Sequence, residues 1–258
     1  MKVTICRFGL AALGKSFFCV MAVALALSGV LVFAPGTRAA EDAPQGAAEE
    51  KNQRPCNEDA MLVFDASGSM SGNQVLGIPN SRPRIDEARS ALAKVLPSAT
   101  KFRRVGLITY GAGAYNACDV ELKMKPSPNA AKPIMSAVNA LVPSGKTPLT
   151  SAVEQAAEVL NYRSKPGVIV IITDGEETCG GQPCDLGKRL HDAANRLTVH
   201  IIAFRYEGYS WSGTNVLDLM CLAEVNNGLY IKANSEDELV GALEKTLDCP
   251  MISQLELK

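Results

Sequence analysis

From residue 57 onward the chain alternates short, continuous apolar runs with stretches whose apolar residues recur at helical spacing, and this alternation restricts the fold more than any other feature. The run Ala60-Met61-Leu62-Val63-Phe64 ends at Asp65, a second run covers about 104–110, and Val168-Ile169-Val170-Ile171-Ile172-Thr173 ends at Asp174-Gly175. Val199 to Phe204 and a short segment at 228–232 complete the buried runs, while Val120 to Met124 alternates as a half-exposed edge strand should, stopped by Pro126 and Pro128. Ile85, Ala88, Leu92 and Val95 or Leu96 mark a helix over 84–97. Further helices are expected at about 130–141, 149–161, 185–196, 214–226 and 236–247, the last opened by a capping-box pattern in Ser235 and Glu238. Continuously apolar strands are buried on both faces, and the intervening helices supply the covering layers, so the expected class is α/β with a mostly parallel sheet. In such sheets ligands bind outside the carboxyl ends of the strands, where Asp65 and Asp174 both stand.

The first fifth of the 258 residues is not part of that pattern. Lys2, Arg7 and Lys15 precede the apolar stretch Phe17 to Phe33, and Thr37-Arg38-Ala39-Ala40 offers small residues for cleavage, so residues 1–40 read as a secretory signal peptide. Its apolar stretch is long, which leaves an uncleaved N-terminal anchor as the alternative. Residues 41–55, rich in Ala, Glu, Gln and Pro, read as a disordered linker, residues 56–249 as one domain, and residues 250–258 as a tail. The location expected is the periplasm or the secreted fraction. Removing residues 1–40 takes away four of the 26 basic residues and none of the 27 acids. The acidic balance that remains leaves no basic stripe to follow a nucleic acid backbone.

Six cysteines stay in the mature chain, and an even number in an exported protein points to disulfides. Cys56 lies just before the first strand and Cys249 just after the last helix, and domain ends usually lie close together, so these two are expected to pair. The pairing of Cys118, Cys179, Cys184 and Cys221 stays open; the first three fall in loops near the carboxyl ends of strands, where bonds would brace that edge. Zinc on Cys179 and Cys184 is disfavoured by their loose spacing and the lack of an adjacent His.

The chemistry sits in three pieces. Asp65-Ala66-Ser67-Gly68-Ser69 follows the first strand, Thr147 in Gly145-Lys146-Thr147-Pro148 precedes a helix, and Asp174 follows a later strand. Carboxylates and hydroxyls gathered at strand ends suit a hard divalent cation, which prefers oxygen ligands. Asp-x-Ser-x-Ser, then Thr, then Asp resembles the metal-ion-dependent adhesion site of von Willebrand factor A domains, over roughly residues 57–248 and with all five positions filled. The resemblance implies a three-layer, doubly wound (Rossmann-like) fold with six strands in the order 3-2-1-4-5-6, strand three alone antiparallel. It implies that Ser67 and Ser69 coordinate Mg²⁺, Mn²⁺ or Ca²⁺ directly, and that Thr147 approaches or withdraws with conformational state. Asp65 and Asp174 would act through water or by orienting the serines. A carboxylate from a protein partner would complete the octahedron at about 2.0–2.1 Å. A bond from Cys56 to Cys249, as in some members, would restrain any shift of the last helix.

Other readings compete. Ser67 and Ser69 also suit side-chain turns, and Thr147 a helix N-cap. Gly145-Lys146-Thr147 lacks the first glycine of a phosphate loop, since residue 140 is Ala, and it follows a helix instead of a strand. Glu176 and Glu177 read as a solvated acidic rim, or as groups that tune which ligands approach, with nothing to fix them as an acid–base pair. An aspartyl-phosphate enzyme with Asp65 as nucleophile would want a second Asp where Ser67 stands, and neither His191 nor His200 neighbours a nucleophile. The expected function is therefore binding of a protein ligand, without catalysis or a small-molecule substrate. A metal-free scaffold domain is the third reading.

Overall fold

The computed structural model describes residues 56, 58–72, 82–206 and 214–248. The signal peptide, the linker, the tail and Cys249 lie outside the described residues. Six strands are formed: β1 (Asp59–Asp65), β2 (Val105–Tyr110), β3 (Val120–Ser127), β4 (Pro166–Thr173), β5 (Arg196–Phe204) and β6 (Tyr230–Ala233). The helices are α1 (Arg84–Phe102), α2 (Ala131–Asn139), α3 (Leu149–Val159), α4 (Pro183–Ala193), α5 (Thr214–Val225) and α6 (Glu236–Leu247). The strand order is β3-β2-β1-β4-β5-β6, with β3 antiparallel to β2 and every other pairing parallel. This is the order that the resemblance implied.

Alternation along β1 shows why both faces are covered. Leu62 and Phe64 enter a core closed by α1, α2 and α6, and Met61 and Val63 enter a second core closed by α3, α4 and α5. Each fully buried Leu, Val or Phe contributes about 1.5–3 kcal/mol, so β1, the central strand, is anchored on both sides before any ligand is considered. No helix among the described residues is long and apolar enough to cross a membrane.

Several boundaries differ from the sequence reading, and three of them have a plain local reason. Helix α1 runs through Pro97 to Phe102. Pro97 lies on the exposed side, where the carbonyl it leaves without a helical partner, that of exposed Ala93, faces solvent, while Val95, Leu96, Ala99 and Thr100 hold the buried side to the core. Strand β3 continues through Pro126 because it is an edge strand, and its ladder with β2 shifts register near Leu107. Helix α4 begins at Pro183, so Cys184 stands in its first turn and not in a loop. The cap of α6 is as expected on one side: the Ser235 hydroxyl accepts from Glu238 N–H at 3.2 Å, while the Glu238 carboxylate reaches Asn234 N–H at 2.8 Å.

On β5, the Nδ1 of His200 accepts a hydrogen bond from Leu229 N–H at 3.0 Å, a bond only the unprotonated nitrogen can make. Burial, with the Arg103 guanidinium nearby, lowers its pKa from 6.5 to about 4. A depressed folded-state value means that the stability is present above pH 6.5 and is lost as pH falls toward 4. About 2 kcal/mol should disappear across that window in denaturant titrations, and His200→Gln should flatten the slope. An unchanged slope in the variant would assign the loss to other groups.

Candidate metal centre

Asp65 ends β1 completely buried, and both its oxygens are engaged. Oδ1 accepts from Ser67 N–H at 2.7 Å, and Oδ2 accepts from the Thr173 hydroxyl at 2.7 Å and the Tyr110 hydroxyl at 3.0 Å. Tyr110 is its direct partner across the β1–β2 ladder, and Thr173 ends the neighbouring strand β4. Asp65 thus ties three adjacent strand ends together and fixes the backbone of the loop that follows.

That loop leaves Ser67 extended and then tightens into a 3₁₀ turn over Gly68–Ser71. The Ser67 and Ser69 hydroxyl oxygens lie 3.0 Å apart, and Ser69 donates to Asp174 Oδ1 at 2.7 Å. Neither hydroxyl caps the turn. Thr147 is buried between them and the β4–α4 loop: its N–H donates to the Thr178 hydroxyl at 2.8 Å, and its carbonyl accepts from Thr178 N–H at 3.0 Å. A Cβ placed on Gly175 would stand 3.7 Å from the Thr147 hydroxyl and 3.8 Å from that of Ser69, so glycine keeps open a space that both hydroxyls border. All five residues singled out in the sequence come together. Thr147 does not cap α3; Pro148 holds the cap position, and the Glu177 carboxylate takes Thr150 N–H at 2.8 Å.

The loops are locked backbone to backbone. Gly68 N–H donates to Gly145 carbonyl at 2.9 Å, Gly145 N–H to Gly111 carbonyl at 2.8 Å, and Lys146 N–H to Ala117 carbonyl at 2.8 Å. A disulfide joins Cys118 to Cys179, tying the β2–β3 loop to the β4–α4 loop on either side of Thr147. A second joins Cys184 to Cys221, α4 to α5. Both cysteines of the zinc reading are therefore consumed. Cys56 is also disulfide-bonded, and its proposed partner Cys249 lies outside the described residues.

Residues 60–177 match the family profile of the von Willebrand factor type A domain. The structure superposes on the vWF domain of the type V pili tip protein Mfa5 from Porphyromonas gingivalis with a TM-score of 0.54 and 11% identity, over 76% of this chain and 94% of that one. The fold is that of a von Willebrand factor A domain. The pilus adhesin SpaC from Lactobacillus rhamnosus GG gives a TM-score of 0.55 at 16% identity, over 76% of this chain and 30% of that one. The uncharacterized protein YwmC of Bacillus subtilis (strain 168) is 26% identical over 202 residues, 74% of this chain and 82% of its own length.

The donor set at these strand ends fits a small hard cation. Adjacent corners of an octahedron with ligands at about 2.1 Å are about 3.0 Å apart, the spacing of the Ser67 and Ser69 oxygens. Electrostatics point the same way. Burial raises the pKa of Asp65, and burial followed by the nearby Asp65 charge raises that of Asp174 to about 7. Against two buried carboxylates stands one guanidinium: Arg84 Nη1 lies 3.3 Å from Asp174 Oδ2 and 3.2 Å from the Ser69 carbonyl. Among the described residues no group of three His, Cys, Asp or Glu side chains is arranged for a metal.

Several participants were not found in the sequence. Tyr110 and Thr173 are visible only once the strand order puts their ends beside Asp65, and Arg84 only once α1 starts beneath Asp174. Glu176 and Glu177 are not a solvated rim: Glu176 accepts from the Tyr206 hydroxyl at 2.6 Å, and Glu177 holds Thr150 and Cys179 N–H groups.

Proposed function

We propose that this A domain is an exported protein-binding module whose Ser67, Ser69 and Thr147 hydroxyls hold a divalent cation, Mg²⁺ before Mn²⁺ or Ca²⁺, and present it to a carboxylate of a protein partner. The observation that carries the reading is the pair of serine hydroxyls at octahedral-edge spacing beside Asp174. The metal supplies an exchangeable coordination position; the chain's residues supply the geometry. Asp65 fixes the Ser67 backbone, Asp174 aligns the Ser69 hydroxyl, and neither quenches the cation with a direct charge. The pilus-protein neighbours support a role in protein–protein contact, and the disulfides support an oxidising, exported location.

Asp65 makes a poor nucleophile for the aspartyl-phosphate alternative, because both oxygens are buried and hydrogen-bonded where no phosphate can approach in line. Calorimetric titration of Mg²⁺ and Mn²⁺ into the full chain tests the proposal. Saturable binding is expected, weakened at least tenfold by Ser69→Ala and by Asp174→Asn, about 1.4 kcal/mol or more each. Absence of binding in the wild type would replace the metal-bridged reading with the scaffold one.

A further inference from the structure

A cavity of about 290 Å³ opens at the amino-terminal edge of the sheet, the edge opposite the metal centre, between the start of β5 and the end of α6. Its inner wall carries Arg103, only 3% exposed. A guanidinium has five N–H donors, and among the described residues this one makes a single hydrogen bond, a long contact of 3.4 Å to the Thr246 carbonyl, while its Nε has no partner there. A buried arginine left so poorly satisfied is costly unless something completes it.

The surrounding charges narrow what that something is. Of the two carboxylates in the wall, Glu58 is taken by Arg196 at 2.9 Å, and Asp248 stands close enough for its charge to favour the Arg103 cation but makes no direct ion pair with it among the described residues. Lys245, exposed on the rim, has no ion-pair partner among the described residues either. Three cations thus face two carboxylates. His200 faces the cavity too, and with Nδ1 occupied by Leu229 N–H its proton stands on Nε2, available as a donor. Thr198, two residues earlier on β5, lines the same wall.

We infer that this cavity is a second binding site, for a small oxyanion such as a carboxylate or a phosphate, held by Arg103 and Lys245 with help from Thr198 and His200. Arginine recognises both classes through paired N–H···O bonds, and lysine adds a point charge at the mouth. The site is independent of the metal centre and of any partner bound there.

Melting of the full chain provides the test, with divalent ions removed on a resin because EDTA is itself a polycarboxylate. Acetate, citrate and phosphate are compared with chloride at equal ionic strength. At about tenfold excess over Kd, one of these oxyanions is expected to raise the midpoint by about 3–5 °C and to saturate. Which of them does so assigns carboxylate or phosphate. The rise should vanish in Arg103→Gln and shrink in Lys245→Gln, whose exposed position leaves folding intact. The imidazole signal of His200 should titrate at higher pH when the oxyanion is bound. No saturable rise with any of the three, or an equal rise in Lys245→Gln and wild type, would overturn the assignment.

Discussion

Millimolar Mg²⁺ or Mn²⁺ is expected to raise the melting midpoint of the resin-treated protein by about 5–10 °C. The estimate follows from linkage: a ligand at about 100-fold excess over Kd that binds only the folded state adds about 2.7 kcal/mol, and a domain of this size shifts by roughly 2–4 °C per kcal/mol. Asp65→Ala should abolish the rise. It should also lower the metal-free midpoint, because Ser67 N–H and the Thr173 and Tyr110 hydroxyls lose their common acceptor inside the protein. Stranded buried donors cost about 1–3 kcal/mol each, offset in part by removal of a carboxylate that burial disfavours. A net loss of about 3 kcal/mol is expected. If Asp65→Ala kept the full metal response, Asp65 would not be what holds Ser67 in place.

Gly111→Ala should be more damaging than any single change to a metal-facing hydroxyl. Gly111 has φ +75°, a left-handed conformation that strains any other residue, and a Cβ there would lie 2.5 Å from both Cα and N of Ser67. No flexible side chain can yield, since the obstructing atoms are backbone of the Asp-x-Ser-x-Ser loop. A loss of about 3–5 kcal/mol, with loss of the metal response, is the expected outcome. Gly113→Ala is the control. Its Cβ would meet the Asp119 carboxylate, a side-chain end free to rotate, and its cost should stay near 1 kcal/mol. Equal melting of the two variants would show that contact between Gly111 and Ser67 does not organise the site.

Gly111 also marks where sequence reasoning stopped. No pattern in the sequence singles it out, because its steric closeness to Ser67 depends on β1 and β2 ending side by side. The strands and most of the helices were legible, since burial on one or two faces writes a period into the chain. The five candidate site residues could be named from the sequence as well, because their residue types stand directly at strand and helix ends. What the pattern could not carry was the partner of each polar group. Glu177, three residues after Asp174 and acidic, looks like surface until the β4–α4 loop is seen folding over the start of α3. Pro97 looks like a helix end until the exposed placement of its missing hydrogen bond is known. Likewise the pairs Cys118–Cys179 and Cys184–Cys221 join loops and helices whose proximity comes from the strand order, not from spacing along the chain.

The pairing of β1 with β4 joins Asp59 to Gly167 across the intervening α1, β2, β3, α2 and α3. Contacts so distant along the chain form late and make folding slow, because a long loop must close before they return any free energy. Asp65, Ser67 and Ser69 enter that process at one end of the loop and Thr147 and Asp174 near the other, so the centre cannot exist until the sheet is nearly complete. An ion bound there would have no role in guiding the chain to its fold. Its expected effect falls on the reverse reaction, prolonging the lifetime of the finished domain while leaving the rate of its formation unchanged.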